Sequence, residues 1–261
     1  MRWDIAILSE PGERENNEDC VAVTSGDAGI CTVLCDGLGG HDAGEVASKC
    51  VCDSVTASFE KAPEGADIGE LVCELLQNAQ DELMKMQIEL DKQNGMKTTA
   101  CCLLIQDGKT AAAYVGDSRI YQFRKNKVLL RSSDHSIPQY LVNIGEIKER
   151  DIRHHPDRNK LLRVMGSEWE TPRYQRLKLE EPVCGDAFLL CTDGFWEWIE
   201  EKDMERFLKR TSCSEEWLNT MKKFIYARGR GNRMDNLSAI AIMRVEGDDD
   251  GEDDPVRRMP E

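Results

Sequence analysis

Two kinds of hydrophobic pattern follow one another along the N-terminal third of the chain. Short apolar runs bounded by turn residues predict strands at residues 2–8, 20–24 and 30–35. Longer segments repeat apolar residues every three or four positions and predict helices at about 42–60, with Asp42 as N-cap, and at about 67–93. We therefore predict three strands and two covering helices in this part of the chain.

The rest of the chain is richer in strand signals. Asp107-Gly108 separates the apolar runs 97–105 and 110–115, and Lys125-Asn126 separates two shorter runs, so each dipeptide predicts a β-hairpin. Residues 135–170 are more polar and are predicted to form a mobile flap. The later strands are predicted at 174–179, 186–191 and 237–245, and the later helices at 195–210 and 214–227.

Composition and charge bound the class of protein. The 261 residues carry a formal net charge of -15, and the stretch 246–254 holds seven acids and no base. That balance disfavours binding to nucleic acid or to an anionic membrane. No apolar run approaches the length of a membrane span, and the eleven cysteines are scattered without a C-x-x-C pair, which indicates reduced thiols in a cytoplasmic protein. We predict one domain over residues 1–246 and an acidic disordered tail over 247–261.

Three aspartates mark the chemistry. Asp36, Asp193 and Asp235 each lie where an apolar run meets a turn or helix signal, and two of them are followed by glycine. Carboxylates on rigid strand ends suit hard divalent cations, which prefer oxygen ligands. A cluster of like-charged carboxylates would be costly without a counter-charge. The pattern therefore predicts metal-assisted chemistry, although each aspartate by itself is also typical of a turn or a helix cap.

A glycine-rich loop, Gly37 to Gly44, follows the strand that ends at Asp36. It matches neither of the two common nucleotide-binding glycine motifs, so a nucleotide site is not favoured. Its glycines are better explained by a close approach of the backbone to an ion.

Taken together, the motifs resemble those of the metal-dependent protein serine/threonine phosphatases, the PPM or type 2C family, in their bacterial form. The resemblance spans about residues 5–245 and keeps the family order of segments. These segments are Arg14 to Asp19, Asp36 to His41 with Gly44-Glu45, Thr98-Thr99, Gly116 to Tyr121, Ser133 to Ser136, Arg158-Asn159 with Arg163 and Gly166, Thr192 to Gly194, and Asp235-Asn236.

The resemblance implies an α/β fold, a four-layer αββα sandwich of two mainly antiparallel sheets flanked by helices, with the metals at one edge between the sheets. It implies two Mg²⁺ or Mn²⁺ ions and a weak third site. The implied metal ligands are Glu18, Asp19, Asp36, the Gly37 carbonyl, Asp117, Asp193 and Asp235. Asp117 and Asp193 would share the third site, and Arg14 would clamp the substrate phosphate, which suits its planar fork.

The implied activity is hydrolysis of phosphoserine and phosphothreonine in proteins by a metal-bridging water that attacks phosphorus directly. Expected partners are phosphorylated proteins and a cognate serine/threonine kinase, with the chain acting as a monomer. Two alternatives stay open at this point: a phosphohydrolase of small phosphate esters, and a non-catalytic phosphoprotein-binding regulator.

Some residues have a structural alternative. Arg14 could form an ion pair, and Asp117 could cap the turn that precedes Arg119. Asp134, His135 and Glu45 are predicted to be structural, and His154-His155 to be a solvated feature of the flap. One position departs from relatives that carry histidine as a candidate general acid after the Asp-Gly pair: here it is Leu38, and the role is not transferred to His41.

Overall fold

Two β-sheets packed face to face form the centre of the molecule. The computed structural model describes residues 2–38, 43–92, 95–246 and, as backbone only, 256–258. Its strands are β1 Arg2–Glu10, β2 Asp19–Gly26, β3 Gly29–Leu38, β4 Lys97–Thr98, β5 Ala100–Gln106, β6 Lys109–Val115, β7 Arg119–Arg124, β8 Lys127–Arg131, β9 Gln175–Leu177, β10 Ala187–Cys191, β11 Leu237–Val245 and β12 Val256–Arg258. Its α-helices are α1 Ala43–Phe59, α2 Ile68–Glu89, α3 Ile137–Asn143, α4 Asp193–Trp196, α5 Glu201–Leu208 and α6 Ser214–Gly229.

The strands divide into two sheets with interleaved sequence order. The first sheet has the order β12-β1-β11-β10-β7-β8, and the second has the order β2-β3-β5-β6-β9 with β4 paired to β3. All pairings are antiparallel except β1 with β12. The N-terminal strand thus lies beside β11, near the other end of the sequence, so the fold is held together by long-range pairs.

Strand alternation explains the layers. On β11, Ile240 and Ile242 point between the sheets, whereas Ala239 and Ala241 point to the opposite face, because successive side chains of a strand alternate. The inner face meets residues of the second sheet such as Leu34, and the outer face is covered by α4, α5 and α6. Helices α1 and α2 cover the outer face of the second sheet. The predicted four-layer αββα architecture is confirmed.

Both predicted hairpins are present. Asp107 and Gly108 have φ of 49° and 77°, and Lys125 and Asn126 have φ of 51° and 58°. Positive φ at both central residues gives the turn whose twist matches that of the flanking strands. Each dipeptide was therefore sufficient by itself to predict its hairpin.

Three predicted elements differ from the structure. Helix α2 ends at Glu89 rather than near 93, because Asp91 adopts the left-handed conformation at φ 53°. The single helix predicted at 195–210 is two helices, since Glu200 is extended at φ -84° and ψ 156°. The predicted strand 97–105 is interrupted at Thr99, which binds Asp36.

The flap and the tail are partly described. Residues 135–170 contain α3 and a 3₁₀ turn at Glu149–His154, and Asn159 and Leu161 of this segment line the main cavity. The predicted N-cap Asp42, and most of the tail predicted to be disordered, lie outside the described residues. Within that tail, the backbone of Val256–Arg258 pairs with β1 as an edge strand. In the described part of the chain, every helix is too short or too polar to cross a membrane.

Candidate metal centre

The predicted carboxylates meet at one end of the sandwich. Asp36 lies near the end of β3, directly opposite Asp19 at the start of β2. Asp193 begins α4 just beyond β10, and Asp235 lies two positions before the start of β11, the neighbouring strand. Asp117 occupies the turn between β6 and β7. Antiparallel neighbours bring the end of one strand beside the start of the next, so residues far apart in sequence gather at one edge.

These residues surround a cavity of about 630 Å³. It is lined by Glu13, Arg14, Glu15, Asn16, Glu18, Asp36, Gly37, Leu38, Asp117, Asn159, Leu161, Asp193, Asp235 and Asn236. Every predicted ligand except Asp19 contributes to this lining. Asp19 lies just behind it and accepts a hydrogen bond from the Thr192 hydroxyl at 3.1 Å.

Burial and mutual repulsion raise the pKa values of the carboxyl groups. Burial and then the charges of Asp193 and Asp235 raise the pKa of Asp19 to about 8. Burial, followed by the charges of Asp19 and Asp193, raises the pKa of Asp36 well above its usual value. Burial is also the first cause for Asp117. Repulsion between the carboxylates is therefore unfavourable in this cluster, and a bound cation would relieve it.

Asp193 is the least perturbed of the buried members. Burial and the charges of Asp235 and Glu197 raise its pKa to about 6. The ionised form of this carboxyl is therefore more accessible at neutral pH than those of Asp19, Asp36 and Asp117. Glu197 lies one turn along from Asp193 and forms an ion pair with Arg158 of the flap at 2.8 Å.

Asn236 fixes the loop that carries Arg14, Glu18 and Asp19. Its Nδ2 donates to the carbonyls of Pro11 at 3.0 Å and Asn16 at 2.8 Å, and its Oδ1 accepts from the Glu18 amide at 2.8 Å. The side chain is almost fully buried. One amide thus satisfies three backbone groups of a loop that has no regular structure of its own. The sequence motif Asp235-Asn236 marked this residue but did not reveal its function.

Hydroxyl groups anchor the strand that carries Asp36. Thr99 Oγ1 accepts a hydrogen bond from the Asp36 amide at 3.0 Å and lies 2.7 Å from Ser118 Oγ. Thr98 Oγ1 donates to the Asp36 carbonyl at 2.8 Å. The predicted motif Thr98-Thr99 therefore holds the Asp36 backbone to the turn that carries Asp117.

A buried cationic network supports Asp117 and Asp193 from behind. Arg119 donates two hydrogen bonds to Asp134, at 2.9 and 2.8 Å, and both side chains are 1% exposed. The Arg119 guanidinium lies 3.6 Å from the ring centroid of Trp196, and Trp196 Nε1 donates to the Asp117 carbonyl at 3.0 Å. Trp196 closes the helix that Asp193 begins, so this one side chain joins the two predicted third-site residues.

Gly37 is required where the backbone segments crowd together. A Cβ atom at this position would lie 2.3 Å from the Gly44 carbonyl oxygen and 2.6 Å from the Glu18 carbonyl oxygen. No side chain fits there without moving the backbone. The glycine thus keeps the Asp36 loop close to Glu18 and to Asp19 at the start of β2.

Arg14 forms an ion pair at the mouth of the cavity. Its Nη2 lies 2.8 Å from Asp235 Oδ2, with side chains 56% and 36% exposed. The hydrogen bond and charge of Asp235 raise the pKa of Arg14 above its usual value. The ion pair that was the structural alternative for Arg14 is present, and it holds the guanidinium over the carboxylates.

The donor set fits a hard divalent cation. All predicted ligands offer oxygen, and the buried Asp19 Oδ1 has no hydrogen-bond partner. Among the described residues, no three histidine, cysteine, aspartate or glutamate side chains lie close enough together to hold a metal ion by themselves. This arrangement suits Mg²⁺ or Mn²⁺ better than zinc, since Mg²⁺ usually keeps several waters and needs few protein ligands.

The remaining predicted residues have structural surroundings. His135 Nδ1 accepts a hydrogen bond from the Gly116 amide at 3.1 Å, and its ring stacks on Tyr114. His154 is exposed and His155 Nδ1 caps the Asp157 amide. Glu45 is exposed in the first turn of α1, while His41 lies outside the described residues.

Asp134→Asn should destabilise the fold by about 3–5 kcal/mol, because it leaves the buried Arg119 charge with only the more distant Glu201 carboxylate, 3.7 Å from Nη1. Urea unfolding measures this loss. The matched control is Asp53→Asn, which breaks the exposed Lys49–Asp53 pair and should cost about 1 kcal/mol or less. Equal losses in the two variants would show that the buried network does not support the site.

Magnesium should stabilise the protein more at pH 8 than at pH 5.5. The raised pKa values mean that folding takes up protons at this site, so its contribution to stability falls as pH rises from about 4 to 8. A cation reverses that loss but competes with protons at pH 5.5. At 100 times the dissociation constant it should add about 2.7 kcal/mol, or roughly 5–10 °C in melting temperature. Differential scanning fluorimetry measures the shift, and Asp36→Asn should remove most of it; a shift independent of pH would contradict the assignment.

Comparisons with known proteins place this geometry in a family. The family model described as protein phosphatase 2C matches residues 12–225. The chain is 29% identical over 237 residues to the serine/threonine phosphatase stp of Listeria welshimeri, covering 88% of this chain and 91% of that protein. It is 28% identical over 236 residues to the serine/threonine protein phosphatase PstP of Mycobacterium tuberculosis, covering 90% of this chain but 43% of the relative.

A solved structure agrees with the sequence matches. The catalytic domain of serine/threonine protein phosphatase PstP, solved in complex with two manganese ions, superimposes with a TM-score of 0.78 at 26% identity, covering 94% of this chain and 99% of that one. The resemblance inferred from the ordered motifs is confirmed. The chain belongs to the protein phosphatase 2C family of serine/threonine phosphatases.

Proposed function

We propose that the chain hydrolyses phosphoserine and phosphothreonine in proteins, with Mg²⁺ or Mn²⁺ held by the carboxylates of the cavity. The observation that carries the proposal is the convergence of Asp36, Asp193 and Asp235, with Arg14 above them, on one solvent-accessible cavity. Family membership supports it, because the relatives named above are serine/threonine phosphatases and one was solved with two manganese ions.

The positions of the carboxylates indicate which of them would hold the cations. Asp36 is central, since the charges of Asp19, Asp193, Asp117 and Asp235 all act on it. Asp193 and Asp235, with Glu18, Asp19 and the Gly37 carbonyl, would complete the main pair of sites, and Asp117 with Asp193 would form a third. When bound, such cations lower the pKa of a nucleophilic water and neutralise the phosphoryl oxygens.

The side chains of the cavity favour direct attack by water. The described lining residues include no serine, threonine, cysteine or histidine, and the lining carboxylates, which could otherwise act as nucleophiles, are the groups that would hold the cations. Leu38 lines the cavity and cannot donate a proton. The leaving alkoxide is therefore expected to take its proton from solvent rather than from a dedicated side chain.

Arg14 is placed to bind the substrate phosphate. Its contact with Asp235 uses Nη2, which leaves the other nitrogens of the fork for phosphate oxygens. Since Asp235 fixes one side of the guanidinium, less rotamer freedom is lost on binding. The same contact keeps a positive charge beside the carboxylates, where a phosphate dianion would otherwise be repelled.

The shape of the site favours protein substrates over small esters. The cavity opens to solvent, and Asn159 and Leu161 of the flap form one wall. A site that does not enclose its ligand gives a small ester little binding energy, whereas a protein can add contacts outside the cavity. We infer further that a serine/threonine kinase supplies the substrates, and that the chain acts in the cytoplasm, where its eleven free cysteines would stay reduced.

Manganese should switch on hydrolysis of p-nitrophenyl phosphate, and a chelator should abolish it. Asp193→Asn should lower kcat/KM at least about 100-fold, or about 2.7 kcal/mol, because it removes a ligand charge from the cluster. Asp53→Asn on the exposed face of α1 is the control and should retain full activity. Activity in chelator, or a loss below threefold in Asp193→Asn, would overturn the proposed centre.

The same assay separates the substrate classes. A phosphothreonine peptide should be turned over with a higher kcat/KM than p-nitrophenyl phosphate, because peptide contacts extend beyond the cavity. The reverse preference would favour a phosphohydrolase of small esters. Absence of turnover with both, under conditions where cations raise the melting temperature, would favour the binding regulator.

Arg14→Lys should raise KM for the phosphothreonine peptide about tenfold and change kcat less. The substitution keeps the charge but loses the planar fork, and weaker binding of substrate and transition state alike raises KM. Arg173→Lys, at an exposed position outside the cavity, is the matched control. An unchanged KM in Arg14→Lys would mean that Arg14 does not bind the substrate phosphate and only forms the ion pair with Asp235.

A further inference from the structure

A second cavity, of about 570 Å³, lies at the opposite end of the first sheet from the carboxylates. Strand β7 connects the two ends, since Arg119 begins it beside Asp117 and Arg124 ends it before the Lys125-Asn126 turn. Six residues of strand span roughly 20 Å. This cavity is therefore remote from the metal centre but belongs to the same rigid sheet.

The cavity is basic on an acidic protein. Its cationic residues are Lys125, Lys127, Lys202, Arg206, Lys209 and Arg210, and all six are exposed. Glu205 is the single acid that lines it, and it is already paired with Lys127 at 2.6 Å. The chain as a whole carries a net charge of -15, so this concentration of positive charge runs against the character of the rest of the molecule.

Most of this charge is not neutralised within the fold. Arg206 pairs with Asp203 at 2.8 Å, whereas Lys125, Lys202, Lys209 and Arg210 form no ion pair with any described residue. Lys209 and Arg210 follow the C-terminus of α5, where the helix dipole favours cations. Lys202 lies in the first turn of the same helix, where a cation is unfavourable, so helix electrostatics does not explain the whole group.

We propose that this basic cavity is a docking site for a carboxylate-rich segment of the protein substrate. The inference rests on the proposed phosphatase function. Arginine forks that converge on one point would indicate a phosphate clamp. Here Arg206 is occupied by Asp203 and by the ring of Phe207. Dispersed lysines with one available arginine instead match a run of carboxylates, recognised by charge without strict geometry.

Charge elsewhere on the molecule makes the docking selective. An acidic segment is repelled by a surface of net negative charge and attracted where cations concentrate, and the attraction also speeds encounter. A segment bound here lies about 20 Å or more from the phosphate site. An extended chain covers that distance in about six residues, and a path over the curved surface needs roughly 10–15. Substrates would therefore carry the acidic run at that separation from the phosphorylated residue.

Direct binding tests the docking site without turnover. A fluorescein-labelled peptide of twelve alternating Glu and Asp residues is titrated with the full chain in 50 mM NaCl and chelator, and anisotropy is read. We expect saturable binding that weakens at least tenfold in K209E/R210E. The matched control K61E/K85E places the same charge reversal at exposed positions just after α1 and in α2, the helices that cover the other sheet, and should change affinity less than twofold. Absence of binding to the natural chain, or equal loss in both variants, overturns the proposal.

Kinetics connect the docking site to the substrate. A phosphothreonine peptide with a twelve-residue neutral spacer and an acidic tract should have a KM at least fivefold below that of a version with glutamines in the tract. K209E/R210E should erase the difference and leave turnover of p-nitrophenyl phosphate unchanged. K125Q/K202Q serves if the first variant does not fold. A tract of phosphoserines that binds more than tenfold better than one of equal charge in carboxylates would instead indicate a phosphate clamp and overturn the assignment.

The two proposals fail separately. If the acidic peptide binds but no phosphatase turnover is measured, the proposed function is wrong and the docking site for acidic segments is supported. If turnover is measured but the acidic tract does not change KM, the proposed function is supported and the docking site is wrong.

Discussion

The rest of this structure depends on keeping like-charged carboxylates together at the end of two sheets. Asp19, Asp36 and Asp117 are partly removed from water and are each repelled by Asp193, and both effects raise their pKa values. Such a cluster persists only where the surrounding backbone cannot relax. Strand ends meet this requirement, because their positions are set by long-range ladders such as β1 with β11 and β2 with β3.

The backbone around the cluster is fixed mainly by buried neutral groups. Asn236 holds the loop before Glu18, Thr99 holds Asp36, and Trp196 joins Asp117 to the helix of Asp193. Neutral donors and acceptors can be buried at low cost when they are hydrogen-bonded, whereas further carboxylates would add to the repulsion. The buried Arg119–Asp134 pair is an exception that brings its own counter-charge. Ligand positions are thus maintained by hydrogen bonds one step behind the cavity.

The sequence was informative wherever the signal was local. Asp36, Asp193 and Asp235 each adjoin a strand, and the two hairpin turns carry their own dipeptides, so their positions were predictable. Contacts made across the fold were not. Arg14 and Asp235 are 221 positions apart, and the three loop contacts of Asn236 span similar separations. The break between α4 and α5 was also missed, because burial of Ile199 against the core outweighs the helical pattern.

The same antiparallel sheet that concentrates negative charge at one end presents positive charge at the other. Strand β7 begins at the Arg119 network behind the carboxylates and ends at the lysines of the β7–β8 turn. An acidic substrate segment and the phosphate are both anionic, so each needs positive charge: the segment from the exposed lysines and arginines, and the phosphate from Arg14 and from cations held by the carboxylates. A rigid strand fixes the separation of the two environments. The protein would therefore prefer substrates in which the distance between the acidic run and the phosphorylated residue matches the distance between the two sites.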